Sequence, residues 1–198
     1  MQHKAICILY THSDTMRFLT VMDRRFRDWT FIAGGCRKRE CFFPLKTAVR
    51  ELEEETRGLV KITSGEYSYF FIIDIDYPDS VYHIYAINIK ISRAEQMEMI
   101  DSFDRERQKT DERRAQRLGI RRSHDENLKL NWDSLSDLKS KPKWGLIDRL
   151  IQNPRFFECL APNAEKIPFS LLTKPREGHR DVGEGEDGVR LSVEKSGQ

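Results

Sequence analysis

The chain has 198 residues, of which 38% are hydrophobic and 33% are charged, and its formal net charge is only +2. This length predicts one domain with extensions, and the small net charge gives no bulk argument for nucleic-acid binding. No apolar run approaches the ~20 residues of a membrane span, so we expect no membrane association. The four cysteines form no metal-binding spacing, which predicts reduced thiols in a cytoplasmic protein.

Two apolar, β-prone runs open the chain. Residues 5–10 and 18–22 flank the polar segment 12–14, and this arrangement predicts a β-hairpin. The first run lacks the small-residue cleavage pattern of a signal peptide, so we expect it to form a strand of the fold. After a charged loop at 24–28, residues 29–33 predict a third strand.

An amphipathic helix is predicted to begin at Pro44. Proline suits the first turn of a helix, where its missing N–H costs nothing. Apolar residues then recur from Leu45 to Leu52 with the spacing of a single helix face, and Gly58 supplies a stop signal.

Three glutamates of this helix are expected to share one of its sides. Glu51, Glu54 and Glu55 stand at positions i, i+3 and i+4, whereas Glu53 points elsewhere. Like charges at this spacing destabilise a bare helix. A hard divalent cation held by carboxylate oxygens would remove that penalty, and Mg²⁺ is the usual candidate.

Strands resume after the helix. Residues 59–63 predict a short strand, and residues 67–76 and 81–91 are rich in aromatic and β-branched side chains, which predicts the two strongest strands of the chain. The polar segment 77–80 provides a turn between these two strands.

Residues 92–124 predict a highly charged helical insertion, with Gly119 as a possible stop. Two interpretations remain open for this segment: a solvated, ion-paired helix, or a basic arm for a phosphate-rich substrate such as RNA. The alternation of charges favours the first interpretation. The arginine-rich stretch from Arg113 to Arg122 favours the second.

The last part of the domain is predicted to alternate a strand with short helices. Residues 125–132 predict a strand, residues 144–150 an amphipathic helix, and Pro154 the start of another. Hydrophobic periodicity is lost from residue 161 onward, so we expect a domain over 1–160 and a flexible tail over 161–198. Strands, one helix, further strands and later helices together predict an α+β sandwich.

The stretch from Gly34 to Leu59 resembles the Nudix box, whose pattern is G-x5-E-x7-R-E-U-x-E-E-x-G-U with U aliphatic. Gly34 and Glu40 match its opening, and the run R-E-L-E-E-E at 50–55 matches its centre. Gly58 and Leu59 match its end after one extra residue. Nine residues rather than seven separate Glu40 from the central arginine, which lengthens the loop before the helix and leaves the role of Glu40 open.

The resemblance implies a Nudix-type α/β/α sandwich with a mixed sheet and metal-dependent hydrolysis of a diphosphate. One or more Mg²⁺ or Mn²⁺ ions would bridge substrate phosphate oxygens and lower the pKa of an attacking water. The metal ligands implied by motif position are the carboxylates of Glu51, Glu54 and Glu55 and the backbone carbonyl of Gly34 or Gly35. Glu54 is implied as either a ligand or a base.

Further residues are implied in supporting roles. Arg50 would hold a glutamate in place through a charge-assisted contact. Many Nudix proteins carry an acid shortly before a strand that ends in tryptophan, so Glu126 is a candidate metal ligand or base, with Asp125 as the neighbour that could replace it. Three cationic loop residues could reach substrate phosphates or could be solvated: Arg37, Lys38 and Arg39. Several aromatic residues could stack on a base, although core packing is their more frequent use: Phe42, Phe43, Tyr67, Tyr69, Tyr82 and Tyr85.

The implied substrate is a nucleotide-type small molecule, a nucleoside diphosphate linked to a further group. Two enzyme interpretations stay open. The first is a hydrolase of free nucleotides, such as nucleoside triphosphates or ADP-ribose-like compounds, and the small net charge favours it. The second is an mRNA-decapping hydrolase of the kind found in large DNA viruses, which would follow RNA phosphates with the arginine-rich stretch. A third interpretation is a catalytically silent Nudix domain used for binding or regulation, against which the intact glutamate set argues.

Overall fold

The computed structural model describes residues 2–12, 15–62, 70–77, 79–120, 122–160 and 167–168. Among the residues singled out above, Tyr67, Tyr69 and Arg121 lie outside this part of the chain, as does nearly all of the predicted tail. The described residues form one mixed sheet with helices on both of its faces. None of the helices described has the length and apolar character needed to cross a bilayer.

The predicted N-terminal hairpin is confirmed. Strand β1, Gln2–His12, pairs antiparallel with β2, Met16–Asp23. Successive side chains of a strand point to opposite faces of the sheet. In β1, every second side chain from Ala5 to Leu9 enters one core, and every second one from Ile6 to Tyr10 enters the other. The two helical layers therefore share β1 as a common support.

The strand predicted over 29–33 is divided in the structure. Strand β3, Trp29–Thr30, pairs with β2, whereas β4, Ile32–Gly35, pairs antiparallel with β1. Phe31 lies between the two strands and is fully buried. The register of β4 places Gly34 opposite Ala5, so the central strand fixes the position of the two consecutive glycines.

Two long strands follow, of which the second lies beside β1 and the first at the end of the strand order. Strands β5, Phe70–Tyr77, and β6, Ser80–Lys90, form the predicted second hairpin, and Asp79 takes a positive φ of 63° in its turn. Strand β6 runs parallel to β1, which makes the sheet mixed, as predicted. Strand β6 also pairs with β8, Ile167–Pro168, the only part of the predicted tail that the structure describes.

The predicted amphipathic helix is confirmed as α1, Pro44–Glu55. Ala48 and Leu52 are fully buried against the sheet. The chain leaves the helix through Arg57 and Gly58, whose φ values are 59° and 80°. This left-handed conformation is common just after a helix and carries no steric cost for glycine.

The short strand predicted over 59–63 is wrong where the structure describes it. Residues 59–62 form no strand, although Val60 and Ile62 are buried in the core. The Val60 N–H donates to the hydroxyl of Thr56 over 3.2 Å, so this backbone is tied to the end of α1 and not to the sheet. The apolar composition that suggested a strand serves core packing.

The charged segment after β6 is confirmed as a helix, α2, which spans Arg93–Ala115 and ends before the predicted glycine stop. Ser92 and Glu95 form a capping box at its start, with reciprocal side chain to backbone hydrogen bonds. Met99 and Phe103 enter the same core cluster as α1. Helix α2 is therefore a packed part of one helical layer.

The second helical layer comes from the C-terminal part of the domain. Strand β7, Asn127–Ser134, pairs antiparallel with β2 and leads directly into α3, Leu135–Ser140. Helices α4, Gly145–Ile151, and α5, Pro154–Cys159, follow at the predicted places. Their apolar side chains form a cluster on the face of the sheet opposite α1, so the predicted α/β/α sandwich is confirmed.

Phe103→Ala tests whether α2 is integral to the fold. Phe103 is fully buried, whereas Met97 on the same helix is 44% exposed. Removal of the buried ring should lower the free energy of unfolding by about 3–5 kcal/mol, as is typical for phenylalanine in a core. Met97→Ala is the matched control and should change it by no more than about 0.5 kcal/mol. Urea unfolding followed by circular dichroism measures both, and equally small losses would contradict a packed α2.

Candidate functional site

Arg50 organises the acidic side of α1. Its Nε and Nη2 donate to the two carboxylate oxygens of Glu40 over 3.1 and 3.0 Å. Its Nη1 donates to Glu51 over 2.6 Å and to Glu54 over 3.3 Å, and Nη2 also donates to the carbonyl of Gly35 over 3.2 Å. The fixed fork of guanidinium donors therefore joins the loop, the end of β4 and two helix acids.

Glu40, whose role the sequence left open, anchors the lengthened loop before α1. Besides its contact with Arg50, its carboxylate accepts a hydrogen bond from the N–H of Arg37 over 3.0 Å and one from the hydroxyl of Thr47 over 2.9 Å. The hydrogen bond from Arg50 and these two contacts lower the pKa of Glu40 to about 2. The two extra loop residues are thus accommodated without loss of the glutamate–arginine pair.

Gly34 lies directly against the carboxylate of Glu51. A Cβ atom at position 34 would fall 2.0 Å from Cδ and Oε1 of Glu51, whereas one at Gly35 would meet nothing within 4 Å. The missing side chain therefore provides the space that this carboxylate occupies. Burial raises the pKa of Glu51, the contact with Arg50 opposes that shift, and nearby negative charges such as Glu126 add to it.

Glu55 is the most deeply buried acid of the group, with 5% of its surface exposed. Its carboxylate accepts hydrogen bonds from the N–H of Ala33 over 3.2 Å and from Nδ2 of Asn127 over 2.8 Å. Burial raises the pKa of Glu55 to about 8, and the negative charges of Glu51 and Glu126 contribute to the rise. The fold therefore holds a carboxyl group where its charged form is disfavoured.

Asn127 and Arg57 support Glu55, and neither of them was identified from the sequence as a site residue. The guanidinium of Arg57 is buried, donates to the carbonyl of Asn127 over 3.0 Å and to the hydroxyl of Thr110 over 2.8 Å, and lies 4.8 Å from the ring centre of Phe103. Helix α2 thus braces the residue that binds Glu55. The one signal in the sequence near Arg57 was the extra residue between Glu55 and Gly58, relative to the Nudix pattern.

Glu126 is exposed on a loop that an ionic cluster fixes in place. Its carbonyl accepts the N–H of Arg24 over 2.8 Å, and the Arg24 side chain pairs with Asp125 over 3.1 Å and with Asp111 over 3.2 Å. Arg114 pairs with the same two aspartates. Asp125, considered above as a replacement for Glu126, is therefore engaged by two arginines, and Glu126 is the acid that faces the site.

A cleft of about 710 Å³ opens beside the glutamates, within the size range of small-molecule sites. Its acidic side includes Glu55 and Glu126. On another wall the rings of Tyr82 and Trp144 meet edge to face at 5.3 Å, and Nζ of Lys4 lies 3.1 Å from the Tyr82 hydroxyl. The other lining residues include both glycines and further polar or aromatic side chains: Gly34, Gly35, Asp23, Phe26, Asp28, Thr30, Phe31, Ala33, Ser80 and Asn127.

The three cationic loop residues lie at the surface, as the solvated alternative required. Arg37 nevertheless approaches the acids, since its Nη2 lies 3.6 Å from Oε1 of Glu54. Lys38 and Arg39 form no ion pair with any residue that the structure describes. Of the aromatic candidates, Tyr85 is buried in the core, whereas Tyr82 is buried at the edge of the cleft.

The donor chemistry of the glutamates fits a hard divalent cation, although no group of three or more His, Cys, Asp or Glu side chains is arranged as a ready metal site within the described residues. In this structure Nη1 of Arg50 bridges Glu51 and Glu54, and Asn127 binds Glu55. Carboxylate oxygens are the ligands that Mg²⁺ and Mn²⁺ prefer. Burial is the main cause of the raised pKa values of Glu51 and Glu55, and a cation would offset the negative charges that add to this rise.

Comparison with known proteins gives one family and a consistent fold. The sequence profile of the NUDIX domain matches residues 1–152 of the chain. No match to this chain was found among curated protein sequences.

Among solved structures, Shewanella oneidensis NrtR is 15% identical over 81% of this chain and 64% of its own, with a TM-score of 0.52. The NUDIX domain of that protein, complexed with ADP ribose, gives 15% identity, coverages of 80% and 88%, and a TM-score of 0.51. The C-terminal domain of mouse MUTYH, in complex with human PCNA, gives 8% identity, coverages of 84% and 94%, and a TM-score of 0.50. At these identities the similarity shows the fold alone.

The metal-free protein should lose stability as the pH rises from about 4.5 to about 8. Folding raises the pKa of Glu55 from 4.5 to about 8, so the folded state binds more protons than the unfolded chain across this window, and stability falls as these protons are lost. Glu55→Gln should remove most of this slope and raise the melting temperature at pH 8. Thermal unfolding in EDTA measures the slope. Glu53→Gln should retain it, because the Glu53 side chain is half-exposed and pairs with Lys61. A slope unaffected by Glu55→Gln would contradict the burial of this charge.

Proposed function

The chain belongs to the NUDIX domain family, and we propose that it is a metal-dependent hydrolase that cleaves the diphosphate linkage of a nucleoside diphosphate derivative. The single observation that supports this most strongly is the Arg50 network, which gathers Glu40, Glu51 and Glu54 against the close approach of Gly34. Clustered acids beside a cleft of this size suit a charged phosphate substrate only when a cation is present, because otherwise the like charges repel it.

In this proposal, the carboxylates of Glu51 and Glu55 and the backbone carbonyl of Gly34 would hold Mg²⁺ or Mn²⁺, and Glu54 would serve as a further ligand or as the base. When bound, such an ion polarises phosphoryl oxygens and makes water a stronger nucleophile. Arg50 now shares oxygens with two of these acids, so cation binding would shift its hydrogen bonds towards Glu40, to which it already donates twice. Glu40 thereby keeps Arg50 in position in either state.

The attacking water needs a proton acceptor, and two acids are suitably placed. Among the three site glutamates of α1, Glu55 is buried, the side chain of Glu51 is 11% exposed and that of Glu54 is 33% exposed, so Glu54 is the one most accessible to water. Glu126 is exposed at the edge of the same cleft. We assign Glu54 as the first candidate for the base and Glu126 as the second. Glu55 is unsuited to this role, because Ala33 and Asn127 hold its buried carboxylate.

The nucleoside part of the substrate would lie in the cleft against Trp144 and Phe26, two of its lining residues, while the Tyr82 ring is buried against Trp144. Aromatic rings provide stacking surfaces for a base, and Lys4 and Asp28 add polar groups that fix its orientation. ADP ribose, present in the complex of the NrtR NUDIX domain, is a compound of this chemical class and belongs among the substrates to be tested.

A catalytically silent domain that only binds a nucleotide is the competing proposal from a different functional class. It predicts nucleotide binding without turnover in the presence of either metal. The Arg50 network argues for turnover, because a site that only binds has no need to keep several acids together at the cost of their mutual repulsion.

Turnover should depend on Glu54. A panel of dNTPs, ADP-ribose, dinucleoside polyphosphates and capped RNA, each with Mg²⁺ and Mn²⁺, identifies the substrate by chromatography of the products. On that substrate, Glu54→Gln should lower the rate at least ~10²-fold with folding intact, on the scale of losing one electrostatic stabiliser. Glu53→Gln is the matched control, since Glu53 pairs with Lys61 instead. Absence of turnover by the wild type on every substrate would favour the silent domain.

The two consecutive glycines should differ sharply in their tolerance of a side chain. Gly34→Ala places a methyl group where the Glu51 carboxylate lies, so Glu51 must move, and a displacement of about 1 Å can cost ~10²-fold in rate. Gly35→Ala meets open space, keeps its backbone carbonyl and should retain most of the activity. Steady-state kinetics and melting temperatures of the two variants provide the test. Equal activities would show that the position of Glu51 is unimportant for turnover.

A further inference from the structure

Two adjacent phenylalanines immediately before α1 face solvent. Phe42 is 82% exposed and Phe43 is 63% exposed. Core packing, expected for most of the aromatic candidates, does not apply to this pair. Neighbouring exposed aromatic rings forgo the stabilisation that burial would give each of them, and such patches commonly mark an interaction site.

Exposed cations surround these two rings. Three of them precede the phenylalanines, and a fourth, Lys46, places its Nζ 5.4 Å from the ring centre of Phe43. We use the name loop platform for the six exposed residues of this surface: Arg37, Lys38, Arg39, Phe42, Phe43 and Lys46.

The loop platform is held in shape by hydrogen bonds of its own segment. The carbonyl of Arg37 accepts the N–H of Glu40 over 2.7 Å and that of Cys41 over 3.2 Å, and the carbonyl of Glu40 accepts the N–H of Phe43 over 2.8 Å. The carboxylate of Glu40 is in turn fixed by Arg50. The aromatic and cationic groups are therefore carried on a turn that is anchored to the acidic site.

The basic surface predicted on α2 is far less available. Its cations are largely engaged by acids of the same helix or of the loop that follows: Arg107 with Asp104 and Asp111, Lys109 with Glu106, and Arg114 with Asp111 and Asp125. Arg113 donates to the carbonyl of Gly119 over 3.0 Å. Of the remaining arginines of the predicted arm, Arg117 is exposed just after α2, and Arg121 and the side chain of Arg122 lie outside what the structure describes. The ion-paired interpretation of α2 is thus the better one for the residues described.

We propose that the loop platform binds single-stranded RNA and delivers a diphosphate linkage at its 5′ end to the acidic site. The proposal rests on the proposed function, because it names a substrate class for the same site. Exposed aromatic rings interleaved with cations suit a single strand, because unpaired bases stack on aromatic rings and the phosphates pair with cationic side chains. Arg37, 3.6 Å from Glu54, connects the loop platform with the acids. The cleft on the other side of the acids would take the terminal group.

Binding of a labelled RNA to the full chain in EDTA tests the proposal without any turnover. The probe is a single-stranded RNA with a 5′ triphosphate and a 3′ dye. Its length of about 12 nucleotides lies within the usual site sizes of proteins that bind single strands. Phe42→Ala/Phe43→Ala should weaken binding in fluorescence anisotropy at least about fivefold, the low end of the effect of removing a stacking ring. Lys38→Ala/Arg39→Ala should reduce the slope of log affinity against log salt by about 0.7 for each phosphate that the protein no longer neutralises.

The matched control removes two exposed cations from the end of α2. Arg113→Ala/Arg117→Ala should bind the RNA as the wild type does. The proposal is overturned if this control loses affinity while the loop platform variants keep it. It is also overturned if Phe42→Ala/Phe43→Ala changes the oligomeric state in sedimentation and not the affinity for RNA, since the rings would then contact a second copy. Hydrolysis of small substrates by the wild type tests the proposed function separately, because the binding assay needs no catalysis.

Discussion

The guanidinium of Arg50 is the interaction on which the arrangement of the acids depends. It donates to Glu40, Glu51, Glu54 and the Gly35 carbonyl, so a single side chain fixes the loop, the strand end and the helix relative to one another. Three carboxylates can approach so closely only because this cation compensates their repulsion. The same contacts explain how the chain tolerates a longer loop before α1. In this chain the longer loop still returns Glu40 to Arg50.

The second constraint is that buried acids need hydrogen-bond partners, and helix α2 supports one of these partners. Glu55 is held by Asn127, and Arg57 links the backbone of Asn127 to Thr110 of α2. The ionic cluster around Asp111 likewise fixes the loop that carries Glu126. Much of the charge on α2 therefore stabilises the surroundings of the site. The helix for which an RNA-binding arm was the alternative interpretation contributes to the domain itself.

The sequence by itself determined the order and kind of most elements. Runs of apolar, β-prone residues and the turns between them predict the two hairpins of the sheet, and helical spacing together with Pro44 and Gly58 predicts α1, because these signals depend on residues close together in the chain. The same local periodicity places Glu51, Glu54 and Glu55 on one helix. The strand predicted at 59–63 failed for a related reason: apolar composition shows that residues are buried but not whether their backbone joins a sheet.

Only the tertiary structure decided which distant groups meet these acids. The contacts of Glu40 with Arg50, of Asn127 with Glu55, and of Gly34 with Glu51 join separate elements, and no local pattern encodes them. The same holds for exposure. Phe42 and Phe43 read as apolar residues before an amphipathic helix, yet the turn anchored by Glu40 leaves them in solvent. Local sequence sets the chemistry of each side chain, whereas the packing of the whole chain sets its neighbours, its pKa and its access to water.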